Sequence, residues 1–137
     1  MPPFRFFLER LSPVQQAACL LILHIALWTA IPLLVTRSLP LDVLEALAWG
    51  REWQWGYYKH PPMSAWLVEL ARLGPHDWSL YVLAQLMVGL AWLAAWLLGR
   101  DLVGARLATF GLMALEGIHY FNASSTEFNA NMVMFPF

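Results

Sequence analysis

"VQQAACLLILHIALWTAIPLLV", residues 14–35, decides the fold. The run holds no Asp, Glu, Lys or Arg. At 1.5 Å rise per residue its length suits the ~30 Å hydrocarbon core of a bilayer. Ser12 followed by Pro13 predicts an N-cap and then the first helical position, where proline's missing N–H costs nothing. Arg5 and Arg10 precede the run, as they would in a signal peptide. It is too long for a signal-peptide core, and no small-x-small cleavage pattern follows, so the reading is a retained transmembrane helix.

The rest of the chain supports a bilayer as solvent. Of 137 residues, 60% are hydrophobic and 12% charged, with mean hydropathy +0.55. A soluble domain carries about 45–50% apolar and about 25% charged residues. The eight tryptophans fit membrane–water interfaces, where Trp gathers. Net charge is −1 with no basic run, which argues against a nucleic-acid partner. The single Cys19 rules out an internal disulfide and a Cys-cluster metal site, and reads as a small apolar filler.

Two further spans are expected, Trp78–Leu98 and Leu102–Phe121, joined by the short polar connection "GRDLVGAR", residues 99–106. Arg100 and Arg106 place that connection in the cytoplasm with Arg5 and Arg10. Residues 36–77 are then the first outer, periplasmic loop. That loop also holds Arg37, Arg51, Lys59 and Arg72, so the assignment goes by density of charge. Ala91, Ala95 and Gly99 repeat at four-residue spacing and predict close helix packing. "NANMVMFPF" begins a fourth apolar run at about residue 131. The expected class is an all-α polytopic membrane protein, with residues 1–137 as the N-terminal portion of a longer transmembrane domain.

The outer loop predicts two short helices. "SLPLDVLEALAWGREW" has Ser38 as candidate N-cap, Pro40 in the first turn, and Leu41, Leu44, Leu47 and Ala48 as an apolar stripe. "PPMSAWLVELARLGP" is opened by Pro61 and Pro62 and closed by Gly74-Pro75. Its stripe is Met63, Trp66, Leu70 and Leu73. Too short to span, both helices are expected to lie in the interface with the apolar face down.

Chemistry gathers in the same loop. Asp42, Glu45 and Glu52 sit at spacings that place them on one helix face. They could act on a hydroxyl as general base or bind a cation, or form the solvated face that any interfacial helix needs. Lys59 and His60 can donate hydrogen bonds to a phosphate oxygen, beside a helix N-terminus that itself favours anions. Tyr57, Tyr58, Trp53 and Trp55 offer amphipathic surfaces at headgroup depth. The plainer reading of that group is a snorkelling lysine in an aromatic belt. Within the spans, His24 reads as a buried, hydrogen-bonded packing residue. Glu116 and His119, three apart, supply too few ligands for a metal site. Residues 121–131, "FNASSTEFNAN", are expected as an outer loop with Glu127 and Asn129 as secondary site candidates. No phosphate-cradling glycine loop, HExxH or GxSxG motif is present.

"LPLDVLEALAWGREWQWGYYKHPPMSAWL", residues 39–67, resembles the first periplasmic loop of the glycosyltransferase family 39-like membrane enzymes. These include aminoarabinose transferases, rhizobial galacturonosyltransferases and protein O-mannosyltransferases. "STEFNANMVMFP", residues 125–136, is similar to the family's entry into the fourth span. The resemblance implies a GT-C bundle of about a dozen transmembrane helices. It implies a polyprenyl-phosphate-linked sugar as donor, and a hydroxyl on a glycan, lipid or protein as acceptor. Asp42 then falls on the general-base position, with Glu45 as supporting carboxylate, since Val43 stands where many relatives have a second acid. Lys59 and His60 fall on the donor-phosphate position, with Tyr57 and Tyr58 as secondary contacts. The implied location is the inner (plasma) membrane, with the N-terminus cytoplasmic. No cofactor is certain; Asp42 and Glu45 leave a divalent cation open. A transporter or flippase built around His24, or a non-catalytic membrane scaffold, are the rival classes.

Overall fold

The computed structural model describes residues 11–72 and 77–137. The predictions that involve Arg5, Arg10, Leu73 and Gly74-Pro75 lie outside them. The described residues are all-helical. Helix α1 spans Pro13–Val35, α2 Leu41–Gly50, α3 Pro62–Ala71, α4 Trp78–Val103 and α5 Ala105–Leu115. Two 3-10 turns, His119–Phe121 and Ala123–Thr126, precede a short α6, Ala130–Met134.

Helix α1 starts as the sequence predicts. Ser12 Oγ accepts from the Gln15 N–H at 3.3 Å, and Gln15 Oε1 accepts from the Ser12 N–H at 2.9 Å, a reciprocal capping box. Pro13 takes the first helical position. Helices α1 and α4 are long and apolar enough to cross a membrane.

The expected span 102–121 is not one continuous helix. Helix α4 runs on through the supposed connection to Val103, and the chain reverses at Gly104, whose φ of 87° favours a residue without Cβ. Helix α5 then has only 11 residues, about 17 Å of rise against a ~30 Å core. Thr109 Oγ1 donates to Pro13 O at 3.2 Å and accepts from Trp96 Nε1 at 3.0 Å. Helix α5 therefore starts level with the beginning of α1 and ends part-way along it. Hydropathy misses the break because Ile118, Tyr120 and Phe121 continue the apolar run in 3-10 and turn geometry.

Packing also differs from the predicted stripes. On α4 the buried face is Leu80, Tyr81, Ala84, Gln85, Val88, Gly89, Trp92 and Trp96. Of the predicted Ala91/Ala95/Gly99 stripe, Gly99 makes a close approach, where a Cβ would lie 3.2 Å from Ala108 Cβ; Gly89 makes another, 3.0 Å from Ile25 Cδ1 of α1. Ala95 is exposed, and Gly99 faces Ala108. At the far end Thr36 Oγ1 and Tyr81 Oη lie 3.1 Å apart, tying the end of α1 to the start of α4.

Helices α2 and α3 form a hairpin at that end. Ser38 does not cap α2; Pro40 occupies the N-cap position without a side-chain hydrogen bond. The two helices meet through Val43, Ala46 and Gly50 on one side and Ser64, Ala65 and Val68 on the other, all buried. Small residues line that contact because the backbones nearly touch. A Cβ on Gly50 would lie 2.6 Å from Ala65 O. Much of the predicted apolar stripes stays outside the packing: Leu41, Leu44, Met63 and Leu70 are exposed.

Candidate functional site

The hairpin brings together most of the residues singled out by the sequence. Asp42 sits in the first turn of α2 and Glu45 one turn on. Pro61 and Pro62 set the start of α3, Pro62 at a position where its missing N–H is not needed. The connection between the helices folds back on itself. The Tyr57 N–H donates to His60 O at 3.2 Å, and the Gln54 N–H donates to Tyr57 Oη at 3.1 Å. Trp49 stacks on Tyr57 with ring centres 5.5 Å apart and meets the edge of His60 at 5.9 Å.

Lys59 lands on the acidic face. Its Nζ donates to both carboxylate oxygens of Glu45, at 2.8 and 3.0 Å. The Glu45 hydrogen bond, the largest effect, outweighs the opposing loss of solvation and, with the lesser charges of Glu45 and Asp42, holds the ammonium above its ordinary pKa. Asp42 therefore lies within electrostatic reach of Lys59, yet its half-buried carboxylate has no hydrogen-bonded partner among the described residues. Glu52 does not join this face. It lies past the end of α2 and accepts from Gln54 Nε2. Among the described residues no three His, Cys, Asp or Glu side chains gather as a metal-ligand set.

Trp53 and Trp55 pack on Trp66 of α3, at 6.1 and 5.2 Å between ring centres. Trp66 Nε1 donates to Gln54 O at 3.1 Å. This cluster holds Trp53 at a φ of 49°, a left-handed conformation that costs a non-glycine residue on the order of 1 kcal/mol. Tyr58 and Trp55 face outward, 96% and 87% exposed.

Residues 121–131 pack in part inside the fold. Ser125 and Phe128 are fully buried, and Gln85 Nε2 of α4 donates to Ser125 Oγ at 3.0 Å. Glu127 is exposed, while Asn129 caps α6 through the N–H groups of Asn131 and Met132. This end of the chain returns to the hairpin, because α6 packs against α3 and α4.

A second polar group was not predicted as a unit. Glu116 pairs with His24 of α1, not with its neighbour His119: Oε2 lies 2.6 Å from His24 Nδ1, and Trp28 Nε1 donates to Oε1 at 2.8 Å. The expected burial and hydrogen bonding of His24 are present. Its partner stands 92 positions away, beyond any local pattern. The one available signal was that ionisable residues inside apolar runs seek each other.

The family model for dolichyl-phosphate-mannose-protein mannosyltransferases matches residues 59–137, more than half of the chain. The chain belongs to this family. The match begins at Lys59 and takes in His60, α3 to α6 and the irregular segment between α5 and α6. Asp42 and Glu45 precede it in the chain and are joined to it in space by the Lys59–Glu45 pair. No curated protein and no solved structure matches the chain.

Proposed function

We propose that this mannosyltransferase-family chain serves a GT-C membrane glycosyltransferase. It would move a sugar from a polyprenyl-phosphate donor to an acceptor hydroxyl at the periplasmic face. Family membership supports the lipid-phosphate-sugar class. The observation that carries the site is the Lys59–Glu45 ion pair, whose ammonium lies within electrostatic reach of the Asp42 carboxylate.

The chemistry follows from those charges. The acceptor oxygen attacks the anomeric carbon, and its proton passes to Asp42. The bond from that carbon to the phosphate oxygen breaks, and the lipid phosphate leaves with the electron pair. Lys59 and His60 offset the charge that develops on it. Glu45 positions Lys59; this is the supporting role of the second carboxylate. Direct displacement inverts the anomeric carbon. Tyr57, stacked on Trp49, braces the turn that presents His60.

The test is Asp42→Asn in the full-length protein, assayed in membranes with radiolabelled polyprenyl-phosphate sugars. Transfer is expected to be lost while donor binding persists. Wild-type turnover by the variant would remove Asp42 from the reaction.

A further inference from the structure

Asp42, Glu45 and Trp49 share one face of α2, at successive spacings of three and four residues. That face receives two consecutive residues of the connection to α3. Glu45 takes the Lys59 ammonium through both carboxylate oxygens. One turn on, Trp49 takes the His60 ring, with ring centres 5.9 Å apart and planes at 60°. The two basic side chains therefore dock side by side, each against its own partner on α2.

The His60 backbone is fixed from both sides. Its carbonyl accepts from the Tyr57 N–H at 3.2 Å. Pro61 follows it, and a residue before proline is confined to extended geometry. Neither constraint reaches the side chain, which keeps its own torsional freedom unless something packs on it. Among the described residues neither ring nitrogen of His60 has a hydrogen-bond partner, and Trp49 is the aromatic ring against it. The indole is itself held. Tyr57 stacks on it with centres 5.5 Å and planes 13° apart, and Tyr57 Oη accepts from the Gln54 N–H at 3.1 Å. Stacked and edge-to-face contacts are the geometries that aromatic quadrupoles favour. The imidazole is thus oriented while both its nitrogens stay open to a ligand.

We propose that Trp49 is the positioning residue for His60: its indole fixes the imidazole in the orientation that meets the donor's lipid phosphate beside Lys59. This role for Trp49 rests on the donor-phosphate role given to His60 above, and adds to it a residue that touches no substrate. A ring oriented in advance loses less freedom when the phosphate binds.

Polyprenyl phosphate is the probe, since it carries the lipid phosphate and no sugar. Its dissociation constant is measured on the purified full-length protein in detergent. The variants are Trp49→Leu, Trp49→Phe, His60→Ala and the double change Trp49→Leu/His60→Ala. Trp49→Leu is expected to raise the constant about 2- to 10-fold, the range of one aromatic pair. Trp49→Phe keeps a ring against His60 and should recover most of the affinity. In the His60→Ala background Trp49→Leu should add nothing, because a residue that acts through another is not additive with it. An equal loss in both backgrounds would mean that Trp49 supports the hairpin as a whole, and overturns the assignment. Wild-type affinity in Trp49→Leu, or a loss in Trp49→Phe as large as in Trp49→Leu, overturns it too. Those three results leave the phosphate role of His60 standing wherever His60→Ala alone binds more weakly. Wild-type affinity in His60→Ala removes His60 from the phosphate site, and Trp49 with it. Should Trp49→Leu not accumulate, Trp49→Met, unbranched and without a ring, takes its place in the same comparison.

Discussion

Glu116 Oε2 lies 2.6 Å from His24 Nδ1, although the two residues are 92 positions apart. This contact, with Trp28 on the other carboxylate oxygen, fixes where α5 stops against α1. Hydrogen bonds between helices in an apolar surround are retained because the alternative is an unsatisfied polar group. Glu116→Leu leaves the buried imidazole without its acceptor and is expected to cost about 1–3 kcal/mol. Thermal unfolding in detergent measures it. The paired variant His24→Leu/Glu116→Leu should be less damaged than the sum of the single changes, by about 0.5–3 kcal/mol. Strict additivity would mean that the pair holds nothing together.

The Lys59–Glu45 pair gives a pH dependence of known sign. Folding raises the Lys59 pKa above the ordinary value of 10.5. The stabilisation is therefore complete below that pH and is lost as pH climbs through the raised folded value. The pair is exposed, so added salt weakens it. Wild type and Lys59→Met should differ in melting temperature at neutral pH and converge in strong alkali. A gap that widens with rising pH would contradict the assignment.

Gly50 and Gly111 make opposite predictions for the same substitution. A Cβ at Gly50 meets Ala65 O at 2.6 Å and Glu69 Cβ at 2.8 Å, and the first of these is backbone that cannot swing aside. Gly50→Ala must push α2 off α3, and overpacking of this kind costs about 1–3 kcal/mol. At Gly111, inside α5, nothing lies within 4 Å of the added atom. Gly111→Ala should stabilise by up to about 1 kcal/mol through helix propensity. Melting temperatures that move in the same direction would sink the close-approach account. The Gly50 variant should also weaken donor binding, because Lys59 and Glu45 sit on opposite sides of the displaced contact.

Signals confined to a few neighbouring residues were legible in the sequence. Ser12-Pro13 and Pro61-Pro62 each announced a helix start, because capping chemistry depends on adjacent atoms. Long apolar runs announced α1 and α4 for the same reason. Which face packs was not legible. In an apolar helix leucines can face either lipid or protein, and the smaller Val43, Ala46 and Gly50 that make the contact leave Leu41 and Leu44 exposed. The end of α5 was hidden by apolar residues that continue past it, although Gly117 directly after Glu116 is a recognised stop signal. At the site, the helical spacing of Asp42 and Glu45 was readable. That Lys59 would fold back onto Glu45 depends on the hairpin, which no local spacing encodes.

The Gln85–Ser125 contact anchors the turn segment to α4, and its loss should loosen that segment selectively. Both residues are fully buried, and Ser125 Oγ also lies 2.6 Å from Asn122 O. Gln85 Oε1 already lacks a partner. Ser125→Ala strands Gln85 Nε2 as well, at about 1–3 kcal/mol. Adding Gln85→Leu replaces both polar partners with apolar groups and should recover much of the loss. Hydrogen exchange locates the effect. Amides of residues 119–129 should exchange faster in Ser125→Ala, while those in the middle of α1 stay protected. Uniform acceleration along the chain would mean that the contact supports the whole bundle rather than this segment.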